Sequence, residues 1–81
     1  MKIKPLRNDL ILFLRKHQIE KKFEKQKILF ESDNFHRSLN TELLEPKHLR
    51  IYSFRIDLQY RAIFIIINNE AEITSINKHY R

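Results

Sequence analysis

The chain reads as an α+β protein, with two N-terminal helices packed on one face of a small, twisted, mainly antiparallel sheet of about four or five strands. Three observations lead there. Apolar residues recur three and four apart as far as about Glu31, the period shortens to two after His48, and the β-branched segment Tyr60 to Ile67 ends at Asn68-Asn69. At 81 residues and 42% hydrophobic composition, residues 1–81 form one domain with a small core.

Ile3 belongs to a short first strand before Pro5. Asn8 or Asp9 caps a helix whose apolar positions include Leu6, Leu10, Phe13 and Leu14. After His17 a second helical pattern runs to about Glu31 with Ile19, Phe23, Leu29 and Phe30 apolar, and Ser32-Asp33-Asn34 ends it. Two helices or one bent helix fit this pattern equally well. Phe35 to Asn40 is a loop that anchors Phe35 and Leu39, and Leu43-Leu44 is a brief strand before Glu45-Pro46-Lys47-His48 breaks it.

From Ile51 to Asp57 the alternation puts Tyr52, Phe54 and Ile56 on one face and Ser53, Arg55 and Asp57 on the other, as in a half-buried strand. Tyr60 to Ile67 is the central strand, expected to be covered on both faces except near its start, where Arg61 interrupts it. Asn68-Asn69 is a hairpin turn. Ala71 to Asn77 returns as the last strand, with Ile73 and Ile76 packing.

Composition excludes several chemistries. With no cysteine there is no disulfide, thiol nucleophile or thiolate-held metal, and with no glycine there is no Walker loop or Rossmann fingerprint. No HxH, HExxH or paired-acid motif offers a metal site, and no cofactor is expected. No stretch approaches the roughly 20 apolar residues of a membrane span, and Met1-Lys2-Ile3-Lys4-Pro5 leads into a charged segment without a small-residue cleavage site. The expectation is a cytoplasmic protein without membrane partners.

The net charge of +6 favours a polyanionic or acidic partner. Residues 1–40 carry ten Lys or Arg against five Asp or Glu, and residues 41–81 carry six against five, so the basic field arises mainly in the helices.

The residues able to carry chemistry are few. Arg61 sits at the mouth of the most apolar strand, where it needs a carboxylate or a phosphate; Asp57 or Glu42 would serve as a salt-bridge partner. Arg55 and Arg61 flank a Leu58-Gln59 turn, and a guanidinium fork matches phosphate oxygens. His79 ends the last strand with an imidazole suited to moving protons near neutrality, although a lone terminal histidine is commonly just solvated. Tyr80 is either an edge aromatic or a platform for a base. Glu42 taken alone is a surface charge or a helix-cap partner, and Lys47, His48 and Arg50 form a small basic cluster usable for phosphate contacts. Without a metal, phosphodiester cleavage uses the neighbouring 2′-hydroxyl, a base, a cationic clamp and an acid, which restricts the substrate to RNA.

Four stretches carry a resemblance: Asn34-Phe35-His36-Arg37-Ser38-Leu39 leading to Leu43-Leu44; Ile51-Tyr52-Ser53-Phe54-Arg55-Ile56; Tyr60-Arg61-Ala62-Ile63-Phe64; and the ending His79-Tyr80. In these the chain resembles the RelE/ParE superfamily of bacterial toxin-antitoxin toxins, and within it the YoeB-type and RelE-type mRNA interferases. The resemblance implies Glu42 as general base, Arg61 as phosphate and transition-state clamp, His79 as general acid or proton shuttle, and Tyr80 as the residue orienting the nucleotide. Arg55, Lys47 and Arg50 would support the phosphate side. It further implies mRNA cleavage in the ribosomal A site, restraint by a cognate acidic antitoxin, and DNA association only through the antitoxin complex. The chain departs from the family in several places: only Lys47, Arg50 and Arg61 are candidates for the basic residues that RelE-type members use, which favours the carboxylate-and-histidine version; a glycine commonly precedes the aromatic that opens the third strand, and here the residues are Arg50-Ile51; and the first strand is weak. A ParE-like member that inhibits gyrase, or an inactive relative acting as an interaction protein, is the alternative reading.

Overall fold

In the computed structural model, residues 1–78 are described; the expectations for His79, Tyr80 and Arg81 lie outside them. The elements are β1 (Lys2–Ile3), α1 (Asn8–Lys16), α2 (Glu20–Ser32), β2 (Glu42–Leu43), β3 (Tyr52–Arg55), β4 (Tyr60–Ile67) and β5 (Glu70–Lys78), with single 3-10 turns at Arg37–Leu39 and Lys47–Leu49. The strands form one sheet in the order β1-β5-β4-β3-β2. Among the described residues only the β1–β5 pair is parallel. This is the expected α+β architecture, with β4 central and both helices on one face.

Two separate helices form, not one bent helix. Gln18 adopts a left-handed φ of 57°, Gln18 N–H donates to the Arg15 carbonyl at 3.1 Å, and Ile19 N–H donates to the Leu14 carbonyl at 2.9 Å. This is the hydrogen-bond pattern of a Schellman stop, with the buried Leu14 and Ile19 supplying its apolar contact. Neither Asn8 nor Asp9 caps α1. Arg7 occupies the cap position in extended backbone with no side-chain cap, while Asp9 lies in the first turn and pairs with Arg7 at 3.0 Å. An acid there still favours the helix through its dipole.

The core joins Leu10, Leu14, Phe23 and Phe30 of the helices to Phe54, Ala62, Phe64, Ile73 and Ile76 of the sheet. Phe30 lies edge-on to Phe64 at 5.2 Å and tilted against Phe54 at 5.1 Å. Ile73 and Ile76 pack as expected. Leu39 is fully buried, but Phe35 is 71% exposed, so the loop anchors only one of its two apolar residues.

β3 ends at Arg55 rather than Asp57 because the Asp57 carboxylate accepts the N–H groups of Gln59 and Tyr60, both at 2.8 Å, and closes the turn. The expectation for β4 is reversed along its length. Its start, Tyr60 to Ala62, is the deeply buried part, and its far end at Ile66 and Ile67 is exposed. Arg61 is buried because polar groups of neighbouring segments receive it. Asn68 and Asn69, with φ of 51° and 65°, form the expected hairpin turn, whose two left-handed positions suit asparagine. The brief second strand lies one residue earlier than expected, at Glu42–Leu43, with Leu44 N–H bonded to the Ile51 carbonyl at 2.8 Å.

Candidate functional site

Strand alternation builds the site. Phe54 pairs with Ala62 and Tyr52 with Phe64 on the helix-facing side, so the intervening pairs Ser53–Ile63 and Arg55–Arg61 belong to the opposite, helix-free face. Glu42 is in register with Ser53 on the neighbouring strand, and Asn77 of β5 is in register with Arg61. Four strands thereby bring Glu42, Ser53, Arg55, Arg61 and Asn77 to one face.

Arg61 is held by one side of its fork. Its Nε donates to Ser53 Oγ at 2.9 Å, and its Nη2 donates to the Asn40 carbonyl and, at 3.3 Å, to the Ser53 carbonyl. The same Nη2 lies 3.7 Å from Glu42 Oε1. Only 7% of the Arg61 side chain is exposed, against 47% for Glu42, so this is a buried cation facing a solvated carboxylate. Burial pushes the Arg61 guanidinium below its ordinary range; Glu42 works against that shift, and Arg55 adds to it. An arginine nonetheless stays cationic at neutral pH. Among the described residues Nη1 makes no hydrogen bond.

Of the two carboxylates anticipated beside Arg61, Glu42 takes the place. Asp57 points elsewhere and meets Lys22 at 3.4 Å. Arg55 has no carboxylate within 4.0 Å among the described residues. Two guanidinium groups directly across an antiparallel pair repel one another, and an anion seated between them removes that penalty.

Lys47 and Arg50 are exposed on the turn that links β2 to β3. Arg50 adopts a left-handed φ of 54°. His79 and Tyr80 follow Lys78, which pairs with Tyr60, and are outside the described residues. Among the described residues no cluster of three His, Cys, Asp or Glu is placed to hold a metal, and no helix is long and apolar enough to cross a membrane.

Three contributors were not singled out from sequence. Ser53 and Asn40 orient Arg61, and the buried Gln26 of α2 donates its amide to the carbonyls of Ser38 at 3.3 Å and Arg55 at 2.8 Å. Gln26 thereby ties the end of β3 to the segment that precedes Glu42. The signal for Ser53 was present in the alternation, since it lies two residues from Arg55 on Arg61's face. For Asn40 it was absent, because a backbone carbonyl has no residue signature.

No protein-family model and no curated protein sequence matches the chain. Among solved structures, a chain of the YoeB-YefM complex from Staphylococcus aureus superposes with a TM-score of 0.70, covering 99% of this chain and 100% of that one at 17% identity. At that identity the likeness is one of fold. The chain therefore has the RelE/ParE-like fold that its sequence resembles.

Proposed function

We propose that the protein is a toxin of the RelE/ParE type that cleaves mRNA in the ribosomal A site without a metal, by attack of the 2′-hydroxyl on the adjacent phosphorus. The observation that carries this reading is the buried Arg61 fixed beside Glu42 and in register with Arg55. A carboxylate that removes the 2′-hydroxyl proton and a guanidinium whose donors meet the phosphorane oxygens are two of the parts such a cleavage needs. The covalent balance is simple. The 2′-oxygen bonds to phosphorus, its proton passes to Glu42, the bond from phosphorus to the 5′-oxygen breaks, and an acid protonates the leaving oxygen, producing a 2′,3′-cyclic phosphate and a 5′-hydroxyl.

In this reading His79 is the acid and Tyr80 stacks on the nucleotide. Arg55 shares the phosphate with Arg61, and Lys47 and Arg50 meet neighbouring phosphates. The ribosome supplies the positioned mRNA. A cognate acidic antitoxin restrains the toxin, and the fold shared with a chain of the YoeB-YefM complex supports such a partner. Association with DNA occurs only through that complex.

Primer extension on a reporter mRNA in a purified translation system tests the reading, with wild type and Glu42→Gln compared and ribosomes omitted in a third arm. Cleavage that requires both ribosomes and Glu42 is the expected result. Intact mRNA with folded wild-type protein would overturn it and leave a gyrase inhibitor of ParE type, or an inactive relative, as the reading.

A further inference from the structure

Gln26 stands on the stripe of α2 that faces the sheet, between the buried Phe23 and Phe30, and is itself only 8% exposed. An amide in that place gives up water and adds little apolar contact, so it costs stability unless its hydrogen bonds are met. They are met by main chain. Its Nε2 donates to the Arg55 carbonyl at 2.8 Å and to the Ser38 carbonyl at 3.3 Å, and an amide nitrogen has two hydrogens for two such acceptors.

The two carbonyls belong to the two segments that surround Arg61. Strand β2 accompanies β3 only as far as the Glu42–Ser53 pair. Continuing that register by two residues would set Asn40 against Arg55, but the chain turns away at Asn40, where φ is 46°. Where the ladder is missing, the Gln26 amide holds the end of β3 to the Arg37–Leu39 turn instead. Two residues past Ser38, the Asn40 carbonyl accepts Arg61 Nη2, and Arg55 lies in register with Arg61. One helical turn before Gln26, Lys22 meets Asp57 at 3.4 Å, but the Lys22 side chain is 60% exposed and such a pair fixes little.

We propose that Gln26 is a positioning residue for Arg61, acting from the helix-facing side of the sheet through the backbone on guanidinium groups of the opposite face. It touches no substrate. Its amide sets the separation between the Asn40 carbonyl and Arg55, and thereby the direction of the Arg61 guanidinium and its distance from that of Arg55. The catalytic consequence rests on the proposed mRNA cleavage; the geometric one does not. A clamp displaced by about 1 Å costs on the order of 100-fold in rate, so a residue remote from the phosphate can govern turnover while leaving binding alone.

Gln26→Met keeps the length of the side chain and deletes the donor, and Gln26→Asn keeps an amide that is one methylene too short to reach both carbonyls. Phe30→Leu is the control, since it weakens the same helix–sheet contact without touching either carbonyl. Two readouts are compared at matched loss of melting temperature. One is hydrogen exchange of the Arg61 Nε–H, which donates to Ser53 Oγ, followed by NMR on the free chain. The other is kcat and KM for a reporter mRNA on purified ribosomes.

Gln26→Met should speed the Arg61 Nε–H exchange about tenfold or more, and lower kcat about tenfold or more with KM within about twofold of wild type. Gln26→Asn should fall between that variant and wild type, and Phe30→Leu should change neither readout. Arg61 exchange like that of wild type in both Gln26 variants would overturn the proposal. Equal effects from Phe30→Leu would overturn it as well, leaving Gln26 a packing role alone. If the wild-type chain cuts no mRNA, the cleavage reading fails, and the exchange rates still decide whether Gln26 orients Arg61.

Discussion

Arg55 and Arg61 are directly opposed across β3 and β4, two guanidinium side chains at one position of the helix-free sheet face. Like charges so placed cost stability, and a doubly charged oxyanion bridging them offsets that cost. Sulfate or phosphate should raise the melting temperature more than chloride at equal ionic strength. At about one hundred times its Kd the anion contributes about 2.7 kcal/mol. Arg55→Ala should remove most of the selective effect, and equal responses to sulfate and chloride would show that no anion site exists.

The two partners of the Arg61–Glu42 pair should respond differently to truncation. Arg61→Ala leaves Ser53 Oγ and the Asn40 and Ser53 carbonyls without their donor in a buried setting, for a loss of about 2 kcal/mol by denaturant unfolding. Glu42 is about half exposed, so Glu42→Gln should change stability by less than about 0.5 kcal/mol while lowering mRNA cleavage about 100-fold or more. A stability loss for Glu42→Gln equal to that of Arg61→Ala would give Glu42 a structural role instead.

Backbone strain offers a separate test in a chain with no glycine. Gln18 and Arg50 hold left-handed φ values of 57° and 54° with side chains that do not favour them. Gln18→Gly and Arg50→Gly should each stabilise by about 1 kcal/mol in thermal or denaturant unfolding. The same replacement at Asn68 should have a smaller effect, since asparagine tolerates this region.

Asp57 predicts an acid response. Burial works to raise its carboxyl, but the N–H groups of Gln59 and Tyr60 and the Lys22 ammonium outweigh it, so the folded-state pKa lies below the usual aspartate value. A depressed folded pKa means that the unfolded chain binds the proton more readily. The carboxylate thus stabilises the fold above about pH 4 and loses that contribution as pH falls through the folded value. Asp57→Asn should be less stable than wild type at pH 7, with a difference that narrows toward pH 2 in urea melts. A difference independent of pH would contradict this.

Most of the strand framework was legible in the sequence because the side-chain period switches at Ile51 and the Asn68-Asn69 turn is specific. The break between the helices was not, since a glutamine carries no mark of a left-handed stop. Phe35 illustrates a general weakness of patterning. Hydropathy says that a phenylalanine prefers burial, while the turn geometry of Asp33 and Asn34 decides whether it is buried. At the site, alternation placed Arg55 and Ser53 on one face. Register was needed to put Glu42 beside Arg61, and strand pairing between segments ten or more residues apart is a tertiary property.

In the proposed reaction Arg61 and Glu42 serve a cleavage in which the substrate's own 2′-hydroxyl is the nucleophile. The most direct measurement places a single 2′-deoxynucleotide immediately 5′ of the scissile phosphate of an A-site codon and follows cleavage of that mRNA on purified ribosomes beside the all-ribose control. The control should be cut and the deoxy-substituted mRNA should stay intact at that phosphate. Cutting of both at the same position would contradict it.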